Sequence, residues 1–236
     1  MSWKITPSYT FADEYFQNVS LLLHGNGANG STTITDSSPT PKTVTAVGDA
    51  KISTAQGKFG GSSIAFDGTG DYLTVPHNTG FSADSDFTCE LWVRPSEVNR
   101  LQFLLDKRNS PVTNSEWFIY LGADNKIAVA LFNTAGAVYL NVVGITSSLA
   151  LNTWHHIAFS LASSTLRVFF NGTLEGTNNS PVGTYSTNSN ALSIGRDVAN
   201  TPARDYNGYI DDLRITKGVA RYTANFTPPT APFPDI

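Results

Sequence analysis

Apolar residues along this chain come in short runs divided by turn residues: "VSLLLHG", "SSIAFDG", "DYLTVP", "FTCELWVRP", "WFIYLG", "KIAVALF", "HHIAFSL", "LRVFFNG", "ALSIG" and "YIDDLRIT". Each run has strand length, and many are rich in β-branched or aromatic residues. No stretch repeats its apolar positions at a helical period. The pattern predicts an all-β fold, an antiparallel two-sheet sandwich with tight connections. Asp67-Gly68-Thr69-Gly70-Asp71 and Asn171-Gly172 supply residues that tolerate positive φ, so each predicts a hairpin or tight turn.

Two segments fall outside this pattern. Residues 1–18 are aromatic and irregular, and residues 228–236, within "TPPTAPFPDI", are too rich in proline for the centre of a sheet. We read them as an N-terminal arm and a C-terminal tail around one domain at residues 19–227, a length that a single large β domain accommodates. Each arm can run over its own sandwich or add to a neighbour's free sheet edge.

Composition narrows the partners. Only 14% of residues are charged, with 15 Lys+Arg against 19 Asp+Glu and a net charge of −4, so there is no basic field to neutralise nucleic-acid phosphates. No run approaches the ~18 apolar residues that span a bilayer, and the N-terminus has no apolar core of signal-peptide length; both predict folding in a cytoplasm without membrane insertion. The sequons at Asn171 and Asn225 are then chance matches. Cys89, the only cysteine, excludes an intrachain disulfide and reads as a small apolar strand residue rather than a nucleophile.

Candidate chemistry begins with His155 and His156. On a strand, successive side chains face opposite ways, so the two cannot share one metal ion, and no Asp, Glu, Cys or His stands at i±2 from either. They read as a strand pair, one half buried and hydrogen-bonded, the other facing water. Glycoside hydrolysis needs two carboxyls within roughly 5–10 Å. Asp86 and Glu90 would lie roughly 13 Å apart on an extended strand, and the adjacent Asp211 and Asp212 would face opposite sides of theirs. No nucleophile elbow, phosphate loop or zinc spacing occurs. The chain therefore reads as a non-enzyme.

"TWHHIAFSLASSTLRVFFNGTLEG" resembles the Trp-x-His, strand, turn, strand and Asn-Gly series of laminin-G-like, or concanavalin A-like, jelly-roll domains. "FDGTGDYLTVP" with "FTCELWVRP" resembles the early strands of that family, and "YNGYIDDLRITKGVARYTANF" its closing strand. The resemblance spans roughly residues 19–226 and implies two packed antiparallel sheets, one curved, with ligand loops along an edge or across the concave face. The fold hosts lectins, glycanases, adhesion modules and structural proteins, so it does not fix one function. The stretch from Leu21 to Pro76 resembles openings that recur in bacteriophage tail and other virion proteins carrying this domain.

That second resemblance implies a virion protein, made in the host cytoplasm and decorating the capsid or associated with the tail. Its partners would be other virion proteins and a cell-surface glycan, and its arrangement a homo-oligomer. A free-standing carbohydrate-binding module is the alternative reading. The family also implies a structural Ca²⁺, for which Asp36, Asp211 and Asp212 match by position; equally, these aspartates can cap turns and loop N–H groups. Sugar binding calls for an exposed aromatic face beside amides and carboxylates. Residues 106–117 and 195–208 have that mixture, which singles out Trp117, Arg204, Asp205 and Tyr206. Against this, Trp117 can begin a strand and pack inside, and Arg204 and Asp205 can form a surface pair.

Overall fold

The alternation that predicts strands also sorts their side chains. Along Phe87–Pro95, Phe87, Cys89, Leu91 and Val93 enter one core, while Thr88, Glu90 and Trp92 take the other face. Cys89 is a free, buried thiol whose pKa burial pushes well up. A computed structural model describes residues 12–108, 115–143, 147–199 and 204–236.

The strands, in chain order, are β1 (Val19–Leu23), β2 (Thr33–Ile34), β3 (Val44–Val47), β4 (Lys51–Ser53), β5 (Ser63–Asp67) and β6 (Tyr72–Val75). Then come β7 (Phe87–Pro95), β8 (Gln102–Asp106), β9 (Trp117–Leu121), β10 (Ile127–Phe132) and β11 (Val138–Val142). The last five are β12 (His155–Ala162), β13 (Thr165–Phe170), β14 (Thr173–Asn178), β15 (Leu192–Ile194) and β16 (Asn207–Lys217). They form two antiparallel sheets. The first runs β14-β13-β12-β7-β16-β5-β4, with β1 also on β16; the second runs β11-β10-β9-β8-β15-β6-β3-β2. The predicted all-β sandwich is the observed architecture. Among the described residues no helix is long and apolar enough to cross a membrane.

Asn171 (φ 48°) and Gly172 (φ 79°) both turn left-handed, as a two-residue connection between β13 and β14 requires. Between the sheets, the rings of Phe87, Trp117 and Phe159 meet with centroids 5.6–5.8 Å apart. Trp117 is fully buried and donates its indole N–H to the Phe81 carbonyl at 2.7 Å.

Over β7, β12 and the C-terminal half of β16 the outer face of the first sheet is covered, while Lys51, Ala65, Arg94 and Tyr209 toward β4 and β5 stay accessible. The chain returns after β16 and lays Tyr222, Phe226 and Phe233 across it, and Asp13 joins from the N-terminal side. Phe233 is buried against Val19 and Leu22 with the Arg214 guanidinium 3.8 Å over its ring. Beneath this cover Glu90 accepts from Arg214 and Tyr222, and Asp13 accepts from Arg214 and Arg221. Burial, the largest single influence, raises the Glu90 pKa, but Arg214, His156 and Tyr222 together outweigh it and the carboxyl ends at about 2.

This cover corrects the histidine reading. The two side chains do face opposite ways, but both are buried. His155 stacks on Phe170 at 5.0 Å and accepts from the Ala150 N–H. His156 lies under Phe226, with Nε2 3.3 Å from Glu90 Oε2 and off the hydrogen-bond direction. The expectation of opposed faces for Asp211 and Asp212 is also corrected. A bulge between Asp211 and Arg214, with Asp212 at φ 48°, turns both carboxylates to the covered outer side.

Candidate glycan-binding face

The second sheet turns a mixed row of side chains outward, with Thr45, Thr74, Phe118 and Tyr120 reaching the surface and Asp106, Ala130 and Ser193 buried. Cross-strand register sets Thr45, Thr74, Ser193, Asp106, Phe118 and Ala130 in one row over six strands. A bulge in β8 brings Phe103 beside Tyr120 in the neighbouring row. The rings of Phe103, Phe118 and Tyr120 pack mutually at 5.4–5.6 Å, and Phe132 meets Phe118 at 5.4 Å. Phe118 and Tyr120 are half-buried and form an aromatic ridge on the surface.

Arg108 lies over this ridge, its guanidinium carbon 4.7 Å from the Phe103 centroid and 4.6 Å from that of Phe118. It is locked there: Nε and Nη2 donate to the two oxygens of Asp106 at 2.8 Å, and Nη2 also to Asp197 at 2.8 Å. Burial pushes the Asp106 carboxyl up, and this outweighs the opposing pull of Arg108.

Beside Arg108 opens a pocket lined by Tyr72, Thr74, Asn190, Ala191, Ser193 and Val198. The Arg196 guanidinium sits 4.4 Å from the Tyr72 ring centre and is held by both oxygens of Asp205 at 2.7 Å. Two polar atoms here are buried without a hydrogen-bond partner, Ser193 Oγ and Asn190 Nδ2. A buried hydroxyl or amide left unpaired costs free energy, and a ligand that supplies the missing partner recovers it. On the far side of the ridge a second pocket is lined by Leu101, Tyr120, Asp124, Lys126 and Val143.

The residues singled out from the sequence behave differently. Trp117 and Tyr206 are core, the latter packed on Phe66 at 6.1 Å, so neither offers a ring to a sugar. Asp205 is buried and pairs with Arg196 rather than Arg204; it also accepts from Gly70. Arg204 lies 3.3 Å from Asp197 with its side chain 41% exposed, and among the four it alone reaches solvent. Residues 109–114 and 200–203 of the two loops proposed for binding lie outside the described residues, as do residues 1–11 of the N-terminal arm. Sequence reasoning missed Tyr72, Asn190 and Ser193, whose proximity comes from the β8-β15-β6 strand order.

Of the three calcium candidates, Asp36 and Asp212 have both carboxylate oxygens hydrogen-bonded and Asp211 has one. Asp36 accepts from the backbone of Leu22, Ser38 and Lys42 and from the Ser38 hydroxyl. Asp212 takes His24 on one oxygen and the Phe233 N–H on the other. Asp211 Oδ2 accepts from Lys58 and Phe59, while Oδ1 has no partner. Among the described residues no three His, Cys, Asp or Glu side chains converge. Asp36 and Asp212, with both oxygens engaged in this way, do not fit a calcium ligand set.

The family model described as "Concanavalin A-like lectin/glucanases superfamily" (Laminin_G_3) matches residues 67–221, more than half of the sequence, and the chain belongs to that family. None of the curated proteins matches it in sequence. Similar solved structures include the binding domain of Paraclostridial Mosquitocidal Protein 1, at 16% identity and TM-score 0.70, covering 89% of this chain and 51% of that one. The botulinum neurotoxin serotype D binding domain is similar at 15% identity and TM-score 0.65, covering 87% and 49%. A botulinum neurotoxin type C structure, described as depending on two ganglioside molecules for cell entry, matches at 15% and 0.61, covering 88% and 49%. This chain spans about half the length of these structures, and the likeness shows a shared fold.

Proposed function

We propose that the protein is a non-catalytic, lectin-like module that binds glycans on the outer face of its second sheet. The observation that carries this reading is the pocket between Tyr72 and Arg108, where Ser193 Oγ and Asn190 Nδ2 lie buried and unpartnered. A sugar presents hydroxyls to such groups and a C–H face to an aromatic ring. A toxin structure that this chain matches over 49% of its length is described as depending on gangliosides for cell entry, which makes glycans the ligand class to test first. Non-catalysis is supported by the nearby carboxylates: Asp106, Asp197 and Asp205 are all tied to arginines rather than presented as a free acid and base. A glycan array with purified protein tests the reading; binding is expected, and chelation by EDTA should leave it unchanged.

Within this reading we place the protein in a bacteriophage particle, among other virion proteins, as a capsid-decorating or tail-associated part. The support is the resemblance of residues 21–76 to virion protein openings. Mass spectrometry of purified particles tests it: the chain should be present in fixed copy number, and its absence would remove this placement.

A further inference from the structure

Resting on the glycan reading, we infer that the Tyr72–Ser193 pocket selects uncharged sugars and discriminates against acidic ones. The charges around the pocket are already matched. Four cations surround the pocket, and each has its carboxylate. Arg108 is held by Asp106 and Asp197. Arg204 is held by Asp197 and Arg196 by Asp205. Lys107, behind the pocket, bonds Glu116 at 3.0 Å and the Asn190 carbonyl at 2.8 Å.

An acidic sugar needs a cation with donors to spare, typically an arginine offering its fork. Here the two forks nearest the pocket are spent. Arg108 holds both oxygens of Asp106, and Arg196 both oxygens of Asp205. Turning either toward a ligand would strand a buried carboxylate, and desolvated carboxylates without partners are strongly unfavourable. The groups left free are a hydroxyl, which donates and accepts, and an amide, which donates. These complement neutral hydroxyls. Specificity then comes from committing the forks of Arg108 and Arg196 to carboxylates as much as from attraction, with Arg204, held by one 3.3 Å contact to Asp197, the most exposed cation of the four.

The test compares a neutral galactose-terminated oligosaccharide with its sialylated form, and a glucose oligomer with a glucuronate oligomer, each titrated against the full chain. Binding to at least one neutral member, about tenfold or more tighter than to its acidic counterpart and insensitive to salt, is expected. Equal or tighter binding of the acidic members would overturn the inference and leave glycan binding standing. No binding to any member would instead remove the glycan reading, and this inference with it. Asp197→Asn provides a second arm, because it frees Arg204 and part of Arg108: acidic ligands should gain affinity relative to neutral ones. An unchanged ratio in that variant, once it is shown to be folded, would contradict charge matching.

Discussion

Arg214 places Nε 3.0 Å and Nη2 2.7 Å from a single oxygen of Glu90, the residue directly opposite it on β7. From there the contacts extend to Tyr222 through Glu90 and to Asp13 through Arg214, so one buried pair ties both ends of the described chain to the first sheet.

Replacing Glu90 by Gln leaves Arg214 with Asp13 alone as its buried counter-charge. Breaking such a pair costs about 3–5 kcal/mol, which for a domain of this size is roughly 10 °C in Tm. Thermal unfolding at neutral pH measures this; a change within a degree would mean that the pair is not structural.

The same carboxyl sets an acid limit. Its folded pKa, about 2, lies below the ordinary 4.5, so the unfolded chain takes up the proton first as the medium is acidified. Stability from this group is full above about 4.5 and drains away as pH falls toward 2. In Glu90→Gln the Tm should fall less steeply over that window, and parallel curves for the two proteins would contradict the assignment.

Asp211 acts in the opposite sense. Burial pushes its pKa up to about 7 and Oδ1 lacks a partner, so the folded state holds the proton more tightly and loses stability as pH rises from about 4 to 7. Asp211→Asn keeps an acceptor for the Lys58 and Phe59 N–H groups without the charge. The Tm difference, variant minus wild type, should be more favourable at pH 8 than at pH 4. A difference that does not change with pH would show that Asp211 is ionised in both states.

Phe233 is the anchor of the tail. Its ring fills the space between Leu22 and Arg214, and its N–H satisfies Asp212. Phe233→Ala should therefore cost about 3–5 kcal/mol, as read by denaturant unfolding; a free arm would give no change.

What was legible in the sequence was local. Trp117, Ile119 and Leu121 alternate inward, and Asn171-Gly172 turns where only such residues turn easily, so strands and hairpins follow from period and turn chemistry. Trp117, singled out for binding because of its neighbouring polar loop, follows that same alternation inward instead. His156 gave no such warning: it is dry because residues some 70 positions later in the chain cover its face. The pocket was illegible for a related reason. Tyr72, Arg108 and Ser193 come from widely separated segments and meet only through the order β8-β15-β6.

The central claim is that this pocket binds sugar, and the most direct measurement is calorimetric titration of the best array ligand against wild type, Tyr72→Ala and Ser193→Val, with Tm recorded for each. About tenfold or greater loss of affinity is expected in both variants, with Tm within a few degrees of wild type. Undiminished binding by both folded variants would place the glycan elsewhere and contradict the account.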